Sequence, residues 1–391
     1  MSTLPTTRLA AVPPLAGLRP RRHGLPPDGG ERTVDAVEAE ARGLRCAHLL
    51  GLHADMLCFG GDPTVFACTL RHTDGSVAGR GLGAGSTETA RAGALLEALE
   101  RHTAGRRRLG RRADVSTGGV AHGPDVAAVG GTGMGCTDTE ALLHAVNEAV
   151  ERMAVARFLA DAVPYGPYAG LAPVPVLDLS TLPPGLADVV HRTGNRIGAA
   201  VGIVPIDAPV PVFLAYARTA PGRLPRLGIG TSLSPAFAVR RACRELLEDT
   251  VPVGTAWGRH PTVVSADAAH MTTVRAGALP PWSAVLPGGG RAGSGRAGSK
   301  GERWESVPFV PAGAPGSPAA HLRRIVDLLA EQGMSLRVAT LTDLPAGLEL
   351  AHTLLVAPRT PGRPGARRTQ PPPVAAVPAS RRVRAGRKAA G

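Results

Sequence analysis

The chain is short of aromatic residues, of lysine, of paired cysteines and of long apolar runs. Aromatic side chains make up 3% of its 391 residues, with three Trp, three Tyr and six Phe. Base-stacking platforms of the kind single-stranded nucleic-acid binders use would be hard to assemble from so few. The five cysteines (Cys46, Cys58, Cys68, Cys136, Cys243) contain no C-x-x-C spacing, which speaks against a disulfide framework and against a zinc knuckle. They fit a reducing compartment, and the expected location is the cytoplasm. No segment approaches the length of a membrane span. The short apolar stretch from Leu9 to Leu18 contains Pro13 and Pro14 and runs into Arg19, Arg21 and Arg22, the wrong order for a signal peptide.

Lysine occurs only at Lys300 and Lys388, so the formal charge of +13 is carried by arginine. Nine basic residues and no acid lie in the last stretch, from Arg359 to Gly391, and without them the excess falls to +4. A solvated, disordered tail is the expected reading, with nonspecific anion binding the minor alternative. Nucleic acid is therefore not the expected partner.

Three regions follow from composition and periodicity: a Pro- and Arg-rich segment over residues 1–30, a folded domain over 31–358, and a Pro/Arg-rich tail over 359–391. Within the domain, residues 286–303 hold a repeated Arg-Ala-Gly-Ser and read as a flexible insertion. Glu31 to Leu50 has helical spacing. Val65–Arg71 and Ser76–Leu82 flank Thr73-Asp74-Gly75 as a hairpin would. Helices are expected from about Thr87, from Asp138 to Ala160, after Ser234-Pro235, and from Pro318 to Gly333 with a C-cap glycine. Strands are expected at Val174–Leu179, Ile197–Ile206, Val212–Arg218, Leu227–Thr231, Leu336–Leu341 and Leu348–Val356. Helices and strands mix without regular βα alternation, which defines an α+β domain of mixed sheets and helices.

Three of those helices share one plan. Ser86 precedes Glu97 by 11 residues, Thr137 precedes Glu148 by 11, and Ser234 precedes Glu245 by 11; a second glutamate follows each at i+3, as Glu100, Glu151 and Glu248. Eleven residues are about three helical turns, and i, i+3 positions share a face. If the helices converge, six carboxylates meet in one cleft. Alone they would raise one another's pKa, so the cluster calls for cations. Magnesium carrying a nucleotide triphosphate fits best: it takes oxygen ligands shared between carboxylates and phosphates, and no His/Cys set suggests a softer metal. Arg101 and Arg152 directly follow the second glutamate of their pairs and are suited to balance charge or hold phosphate oxygens. A solvated Glu-x-x-Glu face is the bland reading of any one pair; three at matched spacing favour the site.

Two Gly-rich approaches, Gly79–Gly85 and Gly130–Gly135, read equally as phosphate cradles at helix N-termini or as tight turns ending strands. Gly298-Ser299-Lys300 lacks the order and the preceding strand of a P-loop. His48, His53, His102, His144 and His191 show no ligand spacing, and Cys136 and Cys243 read as buried structural thiols.

Ala90 to Arg101, Ala-Arg-Ala-Gly-Ala-Leu-Leu-Glu-Ala-Leu-Glu-Arg, resembles the signature helix of YcaO proteins. Thr137 to Ala154 is similar to that family's second motif and Arg240 to Glu248 to its third, with likeness from about residue 60 to 357. The resemblance implies a YcaO-like domain around an ATP cleft. Glu97, Glu100, Glu148, Glu151 and Glu245 would hold magnesium ions bridging ATP phosphates, with Arg101, Arg152 and Glu248 beside the nucleotide. It implies phosphorylation of an amide oxygen in a ribosomally made precursor peptide, giving an azoline ring after attack by a Cys, Ser or Thr side chain, or a thioamide or amidine with other nucleophiles. It further implies a separate E1-like, peptide-binding partner protein, and is compatible with a homodimer. The chain departs from the family at Gly93, where a small hydroxyl residue is usual, at Glu248, where glutamine is expected, and just after it, where an arginine is absent. Pro371-Pro372-Pro373 is followed by a basic tail, not by a Pro-x-Pro-x-Pro terminus. These departures motivate the alternative of a noncatalytic subunit or scaffold.

Overall fold

The computed structural model describes residues 10–11, 30–110, 126–162, 174–217, 226–250 and 304–358. Strand β1 (Ala10–Ala11) joins a sheet completed near the other end of the chain. The chain then builds three layered units. In the first, α1 (Ala36–Leu49) leads into β2 (His53–Cys58), β3 (Thr64–Arg71) and β4 (Val77–Gly85), an antiparallel sheet in that order, and α2 (Thr87–Gly110) packs across it. The β3–β4 hairpin is the one expected, with Gly75 at φ +81° supplying the left-handed turn residue. Helix α1 starts at Ala36 and not at Glu31, because Asp35 caps it by accepting from the Glu38 N–H at 2.8 Å.

The second unit opens with β5 (Val126–Gly135) and α3 (Asp138–Ala162); the third holds β6 (Val174–Leu177), α4 (Pro184–Ile197), β7 (Val201–Ile206), β8 (Val212–Ala217), β9 (Arg226–Thr231) and α5 (Pro235–Thr250). Strands β7, β8 and β9 form an antiparallel sheet. A strand expected to begin at Ile197 begins at Val201, because the preceding residues form α4, closed by Gly198 at φ +72°. The chain then returns: β10 (Trp304–Val307) pairs parallel with β6, α6 (Pro318–Glu331) packs on α3, and β11 (Ser335–Leu344) and β12 (Leu348–Pro358) complete the second sheet in the order β1-β11-β12-β5. Ala10 and Ala11, from the segment expected to be disordered, pair with Val338 and Arg337. The 286–303 insertion and the 359–391 tail lie outside the described residues.

Each unit is thus an antiparallel sheet carrying a principal helix and a second helix beside it: α2 with α1, α3 with α6, α5 with α4. Three hydrophobic cores tie the units together: one around Leu95 and Leu99 that also takes in Met134 and Leu350 of the second sheet, one around Leu143, Val146 and Ile325 that also takes in Val204, Val212 and Leu214 of β7 and β8, and one around Ile203, Val239 and Leu246.

The glycine stretches have a purpose that neither sequence reading anticipated. Both lie within strands, β4 and β5, with alternate glycines facing the helix that follows. A Cβ on Gly81 would stand 2.1 Å from the Ala94 carbonyl oxygen and one on Gly83 2.1 Å from that of Ala90; on Gly131 it would stand 1.9 Å from Ala145 O. The third unit repeats this at Gly228 and Gly230, 2.2 and 2.1 Å from Ala242 O and Ala238 O. Small residues on strand and helix bring the two backbones into direct contact in all three units, which fixes the depth at which each helix presents its glutamates.

Candidate functional site

The three glutamate pairs come together, and the local contacts repeat. Glu97 accepts the N–H of Leu82 in β4 (2.5 Å), Glu148 that of Thr132 in β5 (2.5 Å), and Glu245 that of Ile229 in β9 (3.0 Å). Each first glutamate is thereby pinned to the strand its own helix covers. Two of the second glutamates turn to the neighbouring unit: Glu100 accepts from the Met134 N–H, and Glu151 from the Thr231 N–H at 3.0 Å. Helix α2 touches β5, α3 touches β9, and α5 touches β4, so the three units close into a ring with the carboxylates inside.

Arg101 and Arg152 are helical staples one turn after the first glutamate. Arg101 pairs with Glu97 and donates to the Arg80 carbonyl (3.0 Å); Arg152 pairs with Glu148 at 2.5 Å and donates to the Gly130 carbonyl at 2.6 Å. In the third unit Asp249 stands at the matching position. There the direction reverses: Arg226 on the strand donates to the Asp249 carbonyl at 2.6 Å, while the Asp249 carboxylate accepts from the Leu227 N–H at 3.4 Å.

The cluster is electrostatically loaded. Burial, then Glu148 and Glu97, hold the Glu100 carboxyl well above the usual range, and burial, Glu97 and Glu245 do the same to Glu248. Burial also raises Glu97, pushes Glu151 up to about 8 and pushes Glu245 up to about 7 against the opposing field of Arg241. Arg241 is the functional residue that sequence reasoning missed. It lies 3.2 Å from Glu151 and donates to the Thr231 carbonyl at 3.3 Å. Burial works against its charge, but Glu151, Glu31, Glu245 and Glu148 outweigh that and raise its pKa. The signal was present: Arg241 precedes Glu245 by four residues and so shares its helix face.

A segment just before α1 braces the ring. Glu31, 1% exposed, accepts from Ser232 and, at 3.4 Å, from Asn147. Arg32 and Thr33 reach Glu140 at 2.6 and 2.7 Å. Thr137 caps α3 by accepting from the Glu140 N–H (3.3 Å), while the Glu140 carboxylate is turned to Arg32, Thr33 and the Cys136 N–H and so does not close a reciprocal capping box. Cys136 and Cys243 are buried, and burial pushes both thiols up to about 12, which suits the structural role expected of them. His144 is bonded to the Met134 carbonyl at 3.0 Å, and burial holds its pKa well below the ordinary value, so it faces the ring neutral.

The donor set fits magnesium in type, since it is all carboxylate oxygen, and a divalent cation would offset the like charges that raise Glu100 and Glu248. Among the described residues no three His, Cys, Asp or Glu side chains stand close enough together to hold a metal ion between them.

An α+β ring of three sheet-and-helix units with a largely half-buried carboxylate cluster defines a class of protein suited to hold a polyvalent cation and an anionic ligand together. The sequence matches, over residues 122–355, the family model described as YcaO cyclodehydratase, ATP- and Mg2+-binding. That is more than half of the chain, and the protein belongs to the YcaO family. ATP and Mg2+ are the ligands that family carries, in agreement with the expectation from the glutamates. The fold is similar to that of YcaO from Methanopyrus kandleri bound with AMPPCP and Mg2+ (16% identity, TM-score 0.55, 82% of this chain and 90% of that one). It is also similar to a heterocyclase in complex with substrate and cofactor (14% identity, TM-score 0.51, 87% of this chain). This chain spans about half of that heterocyclase, 54% of its length. No curated protein matches by sequence. Among the described residues no helix is long and apolar enough to cross a membrane.

Proposed function

We propose that the protein uses ATP and magnesium to phosphorylate backbone amides of a ribosomally made precursor peptide, forming azoline rings, or a thioamide or amidine with another nucleophile. The observation that carries this reading is the convergence of three glutamate pairs, each pinned to a strand N–H. In the azoline case a peptide Cys, Ser or Thr side chain adds to the amide carbon and the former carbonyl oxygen takes the γ-phosphoryl group as ADP departs. Loss of phosphate and of the nitrogen proton leaves the C=N bond. Magnesium held by Glu97, Glu100, Glu148, Glu151 and Glu245 would supply the positive charge that neutralises the triphosphate during that transfer.

The chain's residues divide the remaining work. Glu100, Glu151 and Glu248, with Glu97, Glu148 and Glu245 behind them, supply the carboxylate oxygens. Arg101 and Arg152 hold the first glutamates in place and lie within reach of phosphate oxygens. Arg241, 3.2 Å away, opposes the burial that raises the Glu151 carboxyl and holds it in position. An E1-like partner that delivers the peptide, a cytoplasmic location and self-association belong to this proposal. Glu97→Gln should abolish ATP turnover by the chain with its partner and peptide; retained turnover would refute the assignment of Glu97.

A second reading, a noncatalytic subunit or scaffold, is favoured by one observation: Asp249 replaces the arginine staple in the third unit. It predicts an inactive chain that associates tightly with a partner, and ATP turnover by that complex that is indifferent to Glu97→Gln.

A further inference from the structure

A second cavity, of about 260 Å3, lies apart from the carboxylate ring, between the end of β4, the β2–β3 loop, α4 and a different side of α5. Arg192, Arg240 and Arg244 enter it against one carboxylate, Asp62. Asp62 is matched by Arg192, whose Nη1 donates to both its oxygens at 3.0 and 3.2 Å while Nε lies 2.9 Å from Asp188. Arg244 is steadied over the Phe237 ring, 5.9 Å from its centroid. Among the described residues Arg240 has no ion-pair partner. Arg192 is thus balanced by Asp62 and Asp188 and Arg244 lies in the field of Glu248, so the unbalanced charge of the cavity is that of Arg240, and Pro63, Val189 and Leu247 give it an apolar wall.

Its size and lining select the ligand. Small-molecule sites usually occupy roughly 300–1,000 Å3, so this one suits a single side chain better than a nucleotide. A free phosphate ion would leave the apolar wall unused, whereas the methylene stem of Glu or Asp fills it and places the carboxylate at the guanidinium groups, where charge-assisted bonds form. The site also lies within a peptide's reach of the ring. Gly85, which lines the cavity, is three strand residues from Leu82, whose N–H bonds Glu97; three extended residues cover about 10 Å.

We propose that this cavity is a specificity subsite for an acidic side chain of the peptide substrate, close in sequence to the amide being modified. The inference rests on the amide-activating reading above for its biological meaning, but its test contains no nucleotide. Binding of Ac-Gly-Gly-Glu-Gly-Gly-NH2 and of its Gln counterpart to the full chain is followed by ligand-observed NMR, without ATP or magnesium and with inorganic phosphate as competitor. The Glu peptide should bind about tenfold more tightly than the Gln peptide, as loss of one charge-assisted contact implies. Arg240→Gln, checked for an unchanged melting temperature, should remove that preference, with Arg244→Gln as the second variant. Glu148→Gln, which addresses only the ring, should leave the preference intact even if the ATP reading fails. Equal binding of the two peptides, no binding of either at its solubility limit, or a preference that survives both arginine variants would overturn the proposal. Phosphate displacing the Glu peptide as effectively as free Glu peptide does would overturn it too, marking a free-oxyanion site instead.

Discussion

Replacing Gly131 by alanine tests how the ring is held together, because its neighbour Gly130 is an internal control. A methyl group at 131 would stand 1.9 Å from the Ala145 carbonyl oxygen and 2.7 Å from the Ala149 nitrogen. Both are backbone atoms of α3, so no flexible side-chain end can yield, and relief requires the helix to lift by about 1 Å. A methyl at 130 would meet its nearest atom, Thr353 O, at 3.6 Å, an ordinary contact. Neither glycine has positive φ, so the comparison isolates sterics from backbone strain. Overpacking of this kind costs about 1–3 kcal/mol and occasionally more, and the backbone location argues for the upper end. At roughly 2–4 °C per kcal/mol for a large domain, Gly131→Ala should lower Tm by several degrees or more, while Gly130→Ala stays within about 0.5 kcal/mol of wild type. Scanning calorimetry or thermal circular dichroism decides it. Equal melting temperatures for the two variants would refute the account of why the strands are glycine-rich.

Other perturbations have signs set by the structure. Arg241→Met removes the cation that opposes burial at Glu151, 3.2 Å away, and should cost about 3–5 kcal/mol in urea unfolding above about pH 8, where Glu151 is ionised, and less below it; a cost that does not change with pH would refute this coupling. Ser317 caps α6 by accepting from the Ala320 N–H at 3.3 Å, so Ser317→Ala should cost about 1 kcal/mol with no change in ATP binding. Burial and a hydrogen bond with Asp343 push Glu349 up to about 8. An acid whose folded pKa is raised holds its proton in the folded state after the unfolded chain has lost it, so its stabilising effect is complete below the unfolded pKa near 4.5 and fades as pH rises to about 8. Glu349→Gln should flatten the fall in Tm across that window; an unchanged slope would show that the carboxyl is ionised throughout.

What the sequence disclosed and what it concealed have physical reasons. The glutamate pairs were legible because i, i+3 spacing and cap-to-glutamate spacing are local, helical quantities. The role of Gly131 and Gly230 was not, because it depends on Ala145 and Ala238 across a strand–helix interface, and a Gly-x-Gly run carries little strand propensity of its own. Helix α4 was hidden by Pro183, Pro184, Gly185 and Gly194, which break its periodic pattern, so only its far end was noticed, as the start of a strand. Residues Glu31 to Thr33 looked like the first turn of a helix, yet their polar side chains serve Glu140, Ser232 and Asn147, from 107 to 201 residues away in sequence. Arg241 carries no local signal beyond its i−4 spacing from Glu245, and its partner Glu151 sits on α3, in another unit of the ring.

The central claim is that the converging carboxylates hold magnesium and ATP, and calorimetric titration of ATP with and without magnesium, on wild type and on Glu148→Gln, tests it most directly. The account predicts magnesium-dependent binding by the wild-type chain, lost or reduced by at least about tenfold in a variant that melts as a folded protein. Binding that is indifferent to magnesium, or undiminished in Glu148→Gln, would contradict it.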